Sequence, residues 1–165
     1  MTTSSPAERS EYLKDPYHDV HHDPYFLKRK YKEPAVCGKC GVAFHKGLFA
    51  WPAQPIAGAE SMTCPACLRI ADKVEGGIVA LSGDFLGQHQ EEILNLIRHV
   101  EALEKGQRPL ERIMSIEPSE GVITIKTTYE HLARRIGESV HRAYKGELRF
   151  AYADAEKFIR VHWSR

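Results

Sequence analysis

The stretch CGKCGVAFH at residues 37–45 and the stretch CPACLRI at residues 64–70 carry all four cysteines of the chain. Each stretch contains a C-x2-C pair, and 23 residues lie between the two pairs. A two-residue gap lets both sulfurs of a pair turn towards one point, and two such halves complete a tetrahedral site of four thiolates. Four protein ligands leave no position for a water molecule, so the spacing predicts a zinc ribbon with a structural Zn²⁺. The predicted ligands are Cys37, Cys40, Cys64 and Cys67.

Three other roles for the cysteines are open at this point: a redox-active dithiol, iron held by the same thiolates, and disulfides. The first residues of the chain lack the charged start and apolar stretch of a signal peptide. No run approaches the roughly 20 apolar residues that a membrane span needs. We therefore expect a cytoplasmic protein with no membrane partner, and in that compartment thiols stay reduced. The spacing does not decide between zinc and iron.

Composition and local pattern divide the 165 residues into three parts. Residues 1–34 are polar and repeat Asp-Pro-Tyr at 15–17 and 23–25, which predicts a flexible N-terminal tail. Residues 35–75 form the predicted ribbon, and residues 76–165 form a predicted α+β domain.

The third part alternates between helical and strand periodicity. A helix is expected over about 84–105, with Gly106 as its C-terminal cap, and a second helix follows a capping box formed by Thr127 and Glu130. Short β-rich runs flank residues 119–121, a hairpin signal, and two more strands, joined by an expected turn at 154–156, follow the second helix. The order helix-strand-strand-helix-strand-strand predicts a small antiparallel sheet with two helices packed on one face.

Motifs for nucleotide binding, metalloprotease chemistry and serine hydrolysis are absent from the sequence. The predicted metal site is closed as well. We therefore expect a protein that is not an enzyme and has no small-molecule substrate.

Basic residues concentrate on the polar side of the second helix, where they could neutralise RNA phosphates or stack on bases. A solvated helix face is the alternative explanation. The net charge of the chain is only +1, so the argument for RNA rests on this local distribution. The candidate RNA-binding residues are His131, Arg134, Arg135, Arg142 and Lys145 on the helix and Lys28, Arg29 and Lys30 in the tail.

The segments EPAVCGKCGVAF, CPACLRIAD, LERIMSIE, TTYEHLARRIGESVHRAYKGEL and RVHW together resemble a family of small bacterial zinc-ribbon proteins. More distantly, a zinc module followed by strand, helix and strand is similar to the N-terminal part of the archaeal and eukaryotic nonsense-mediated-decay-type export adaptor of the large ribosomal subunit. This chain has two C-x2-C pairs where that adaptor has more. The resemblance implies an RNA- or ribosome-associated factor, related to translation or stress, without the export role.

The sequence thus leads to a non-enzymatic zinc-ribbon protein that binds ribosomal RNA or the ribosome. The alternative is a protein–protein adaptor. Its docking surface would be the N-terminal tail and the aromatic loop that runs from Phe44 through Phe49 to Trp51.

Overall fold

The computed structural model describes Tyr25, residues 31–153 and residues 157–165. Almost all of the predicted tail, including its basic run at 28–30, lies outside the described residues. The expected turn at 154–156 also lies outside them.

The first unit is a zinc-ribbon-like module built on a four-stranded sheet in the order β3-β2-β1-β4. β1 pairs antiparallel with β2 and parallel with β4, so the chain leaves the sheet and returns beside its first strand. The helix α1 follows directly and carries the second cysteine pair at its start. The elements are β1 Ala35–Cys37, β2 Ala43–His45, β3 Leu48–Ala50, β4 Glu60–Met62 and α1 Pro65–Asp72.

The second unit is a five-stranded sheet in the order β6-β7-β5-β9-β8 with two helices. The α+β class and the predicted order helix-strand-strand-helix-strand-strand are confirmed. The elements are β5 Gly77–Ser82, α2 Asp84–Gln107, β6 Ile113–Ser119, β7 Val122–Thr127, α3 Glu130–Tyr144, β8 Glu147–Ala153 and β9 Phe158–Ser164.

The expectation of a purely antiparallel sheet is wrong, because β5 and β9 run parallel. β9 is the last strand of the chain, yet it lies between β5 and β8. Burial explains the position: Ile159, Val161 and Trp163 on β9 are at most 1% exposed and need neighbours on both sides. β8 has mostly exposed side chains and takes the edge.

Both helices cover one face of this sheet, as the alternation of apolar residues predicts. Neighbouring strands bring Val79 beside Ile125 and Val161, so the buried side chains form continuous rows under the helices. The core consists of Val79, Leu81, Leu86, Ile93, Ile97, Val100, Ile123, Ile125, Leu132, Ala133, Ile136, Val140, Ile159, Val161 and Trp163.

The predicted helix ends differ from the observed ones. Gly106 lies inside α2, which continues to Gln107. At the start of α3, Thr127 belongs to β7 and cannot act as the cap, so the predicted capping box is absent. The carboxylate of Glu111 instead accepts the Leu132 backbone N–H at 3.0 Å. A residue from outside the helix thus accepts the hydrogen bond that a capping side chain would normally accept.

Candidate metal centre

Two different backbone structures present the cysteines. The first knuckle is the turn between β1 and β2, closed by a hydrogen bond from the Gly41 N–H to the Cys37 carbonyl at 2.9 Å. Gly41 has a φ of +83°, a conformation that glycine adopts without strain because it lacks a Cβ atom. In the second knuckle Cys64 is the N-cap of α1, followed by Pro65, and its sulfur accepts the Cys67 N–H at 3.4 Å.

The four sulfurs converge on one point. All of them lie within 4.8 Å of one another. Across the two knuckles, the sulfurs of Cys37 and Cys67 are 3.9 Å apart and those of Cys40 and Cys64 are 3.7 Å apart. A tetrahedral ion with metal–sulfur bonds of about 2.3 Å has sulfurs about 3.8 Å apart. The separations therefore fit a tetrahedral metal ion, and none of the cysteines is in a disulfide.

The local environment shifts the pKa values of the thiols in opposite directions. Burial works to raise the pKa of Cys37, but backbone N–H groups, first among them that of Cys64, outweigh burial and lower the pKa to about 6. Burial, assisted by repulsion from neighbouring thiolates, raises the pKa of Cys64. Burial also raises the pKa of Cys67. Four thiolates this close cannot all ionise without a cation among them, which is the charge that a bound metal ion supplies.

Arg112, from the segment between α2 and β6, lies against the sulfurs and is 6% exposed. Its Nη2 donates to the Cys40 sulfur at 3.2 Å and its Nη1 donates to the Cys67 sulfur at 3.4 Å. Burial lowers the pKa of Arg112, but the interactions with Cys40 and Cys67 outweigh it and raise the pKa above its ordinary value. The guanidinium is thus a charged partner of the cysteine cluster that comes from the α+β unit.

Further contacts between the two units surround Arg112, and we call this set of contacts the joint. The indole Nε1 of Trp51 donates to the Lys105 carbonyl at 2.8 Å, and the Arg112 guanidinium lies 5.5 Å from the Trp51 ring centroid. On the other side, the Arg69 guanidinium lies 4.6 Å from the ring centroid of Tyr129, which precedes α3. The ribbon-like module is therefore held to the α+β unit by aromatic and cationic groups around the cysteines.

The aromatic loop that the adaptor hypothesis uses as a docking surface is largely internal. Phe44 is fully buried and packs on Phe49, with ring centroids 4.9 Å apart. Trp51 is half-buried in the joint. These rings stabilise the ribbon-like module and its attachment, and the geometry does not favour them as a surface for a partner.

Three of the five predicted RNA-binding residues on α3 contact a carboxylate of the same chain. Glu104 of α2 binds His131 at 2.9 Å and Arg135 at 3.0 Å. Glu138, one turn along α3, pairs with Arg134 at 3.3 Å. Burial works to raise the pKa of Glu104, but His131 and Arg135 outweigh it and lower the pKa.

The two remaining helix cations, Arg142 and Lys145, have no acidic partner among the described residues. They lie where the end of α3 meets the end of β9, since the Trp163 indole donates to the Lys145 carbonyl at 2.6 Å. Arg165 donates to the Tyr144 carbonyl there at 2.5 Å. We call this group the cationic end; it consists of Arg142, Lys145 and Arg165.

Sequence reasoning missed Arg112 and Glu104. No local motif marks either role, because the cysteines that Arg112 faces and the residues of α3 that Glu104 binds lie between 27 and 72 positions away. Their positions alone give a weak signal: Glu104 is a charged residue within an amphipathic helix, and Arg112 is a charged residue next to a β-rich run.

Comparisons of the chain with models of protein families, with curated proteins and with solved structures find no match. In the part of the chain that the structure describes, no helix has the length and apolar character to cross a membrane.

Proposed function

We propose that this chain is a non-enzymatic zinc-ribbon protein that binds RNA, with ribosomal RNA or the ribosome as its target. Zinc is the proposed metal because a closed four-thiolate tetrahedron is its common structural site, although iron accepts the same ligands. Elemental analysis of protein purified under reducing conditions tests this: about one zinc per chain is expected. A stoichiometric iron content, together with absorption in the visible range, would show that the bound metal is iron and not zinc.

The cationic end is the observation that carries the RNA proposal. It gathers Arg142 and Lys145 from α3 and the last residue, Arg165, and among the described residues none of these three side chains forms an ion pair with an acidic side chain. Phosphate groups are neutralised by such clusters. On the neighbouring edge strand, the rings of Phe150 and Tyr152 are partly exposed, with centroids 6.5 Å apart. Exposed aromatic rings stack on bases of single-stranded RNA.

Co-sedimentation with ribosomes, and binding to purified ribosomal RNA, test this surface. Reversal of charge at Arg142 and Lys145 should weaken binding roughly tenfold or more and reduce its salt dependence. The matched control reverses Arg98 and Lys46, which are also exposed and change the net charge equally but lie outside the cationic end. Equal loss in both variants would show a non-specific effect of charge, and unchanged binding in the first variant would reject this surface.

Arg135 is a poor probe of RNA contact. Its guanidinium binds the buried Glu104, so a reversal there would disturb the packing of α2 on α3 before it affected any ligand. Treatment with nuclease adds a further check: a bound protein partner that survives it would favour the adaptor hypothesis over RNA binding.

A further inference from the structure

Arg112 is a buried cation whose anionic partners, among the described residues, are sulfurs alone. Its Nε donates to the Pro109 carbonyl at 2.9 Å, and its two terminal nitrogens face Cys40, Cys67 and, at 3.8 Å, Cys64. No carboxylate forms an ion pair with it in the part of the chain that the structure describes. A buried guanidinium without a counter-ion is strongly destabilising. The burial of Arg112 therefore requires negative charge on the cysteine cluster.

The cysteine cluster in turn needs positive charge. Four thiolates and one divalent ion carry a net charge of −2, and Arg112 offsets half of it. Without a metal ion, nothing holds the sulfurs at the separations of 3.7 and 3.9 Å that are seen across the two knuckles. The two sulfurs that accept from Arg112 at 3.2 and 3.4 Å then lose their fixed positions, although the guanidinium is still charged and buried.

We propose that Arg112 and the bound metal depend on each other, so that metal occupancy locks the joint between the ribbon-like module and the α+β unit. With metal bound, the sulfurs hold the guanidinium and fix the segment between α2 and β6. When metal leaves, Arg112 loses its partner and the joint opens. By thermodynamic reciprocity, the same interaction raises metal affinity. The inference rests on the proposed metal site but is independent of RNA binding.

Metal affinity of three variants tests the first half of the proposal, with a chromogenic chelator competing for zinc at fixed pH. Arg112→Met keeps the bulk of the side chain but removes its charge, and we expect a roughly 10- to 100-fold weaker affinity. Arg112→Lys keeps the charge but lacks the planar guanidinium, and its zinc affinity should lie between those of the unmodified protein and Arg112→Met. The control is Arg108→Met, because that guanidinium binds Glu104 at 3.0 Å and no sulfur; it should match the unmodified protein.

Hydrogen exchange on the unmodified chain tests the second half and needs no variant. The Thr128 N–H donates to the Arg112 carbonyl at 2.9 Å, and the Arg112 N–H donates to the Thr128 hydroxyl at 2.9 Å. Removal of zinc should speed exchange at these two amides together with the ribbon-like module. The amides of residues 93–100 in the core of α2 should stay protected.

Three results would overturn the proposal in distinguishable ways. If Arg112→Met binds zinc as tightly as the unmodified protein, the guanidinium does not support the metal. If hydrogen exchange at the amides of Arg112 and Thr128 is unchanged when metal is removed, the joint does not depend on the metal centre. If the unmodified chain binds no metal at all, the proposed metal site itself fails along with this inference, whatever its RNA binding.

Discussion

Buried charged residues are concentrated around the joint. Arg69, Glu104, Glu111 and Arg112 are each at most 9% exposed. Three of them face charged groups or aromatic rings, but Glu111 has the Leu132 N–H as its hydrogen-bond partner. Burial raises the pKa of Glu111 to about 7, against the opposing effect of that hydrogen bond. Glu111 is therefore the residue whose ionisation should oppose folding at neutral pH.

The sign of the pH effect follows from the raised pKa. The carboxyl binds its proton more tightly in the folded state, so its contribution to stability is complete below about 4.5 and is lost as pH rises through about 7. Glu111→Gln keeps an acceptor for Leu132 without the charge. We compare the free energy of unfolding of this variant with that of the unmodified protein at each pH. The difference should shift by about 1 kcal/mol in favour of the variant from pH 6 to pH 8.

Urea unfolding at the two pH values measures this difference. Glu117→Gln is the matched control, since Glu117 is exposed on β6 and a lowered pKa keeps it ionised throughout the range. A difference between Glu111→Gln and the unmodified protein that does not change with pH would contradict the raised pKa.

At the scale of elements, two glycines in helices have opposite roles. Gly137 faces the sheet from α3, and a Cβ there would lie 2.5 Å from the Val161 Cγ1 atom and 3.1 Å from the Leu148 Cδ1 atom. This lack of a side chain lets α3 approach β8 and β9 closely. A Cβ on Gly106, near the end of α2, would have no atom within 4 Å.

Alanine substitutions separate the two roles. We expect Gly137→Ala to lower the free energy of unfolding by about 1–3 kcal/mol, because the added methyl group forces strands and helix apart. Gly106→Ala should raise it by up to about 1 kcal/mol, because alanine favours a helix interior. Thermal unfolding followed by circular dichroism measures both. Destabilisation by Gly106→Ala would mean that the glycine caps the helix after all.

At the scale of the whole molecule, the two units differ in what holds them together. The α+β unit has a continuous apolar core from Val79 to Trp163. Among the described residues, the buried cluster at the metal centre contains Val42 and Ala66 beside its cysteines, with Phe49, Trp51, Met62 and Leu110 partly buried against it. A structural metal supplies folding free energy that so small a cluster cannot. The ribbon-like module should therefore depend on metal far more than the α+β unit does.

Removal of metal by a chelator under reducing conditions tests this dependence through the two tryptophans. Trp51 lies in the joint and should become exposed, with a red shift of its fluorescence, whereas Trp163 is 1% exposed in the core and should stay buried. Replacement of Trp51 by Phe assigns the signal, and added zinc should restore it. Simultaneous loss of both signals would show that the units unfold together, and an unchanged spectrum would show that metal does not hold the ribbon-like module.

Elements that depend on neighbouring residues were predictable. The apolar spacing located both long helices and the strands of the α+β unit, and the run Ser119-Glu120-Gly121 predicted the hairpin, where Glu120 and Gly121 adopt positive φ. The helix ends were harder, since Glu111 reaches the start of α3 from another element and makes a local capping box unnecessary. The ion pairs of the basic face of α3 could not be predicted for the same reason: Glu104, which binds His131 and Arg135, lies on a different helix.

The sequence by itself determined the α+β class, the element order and the pairing of two cysteine knuckles, because each depends on periodicity or spacing within a short stretch. Only the tertiary structure decided that β9 lies beside β5, that Arg112 faces the sulfurs and that the free cations collect at one end. These features join residues that are tens of positions apart. They follow from which surfaces must be buried and which charges must be compensated, and both depend on the packing of the whole chain.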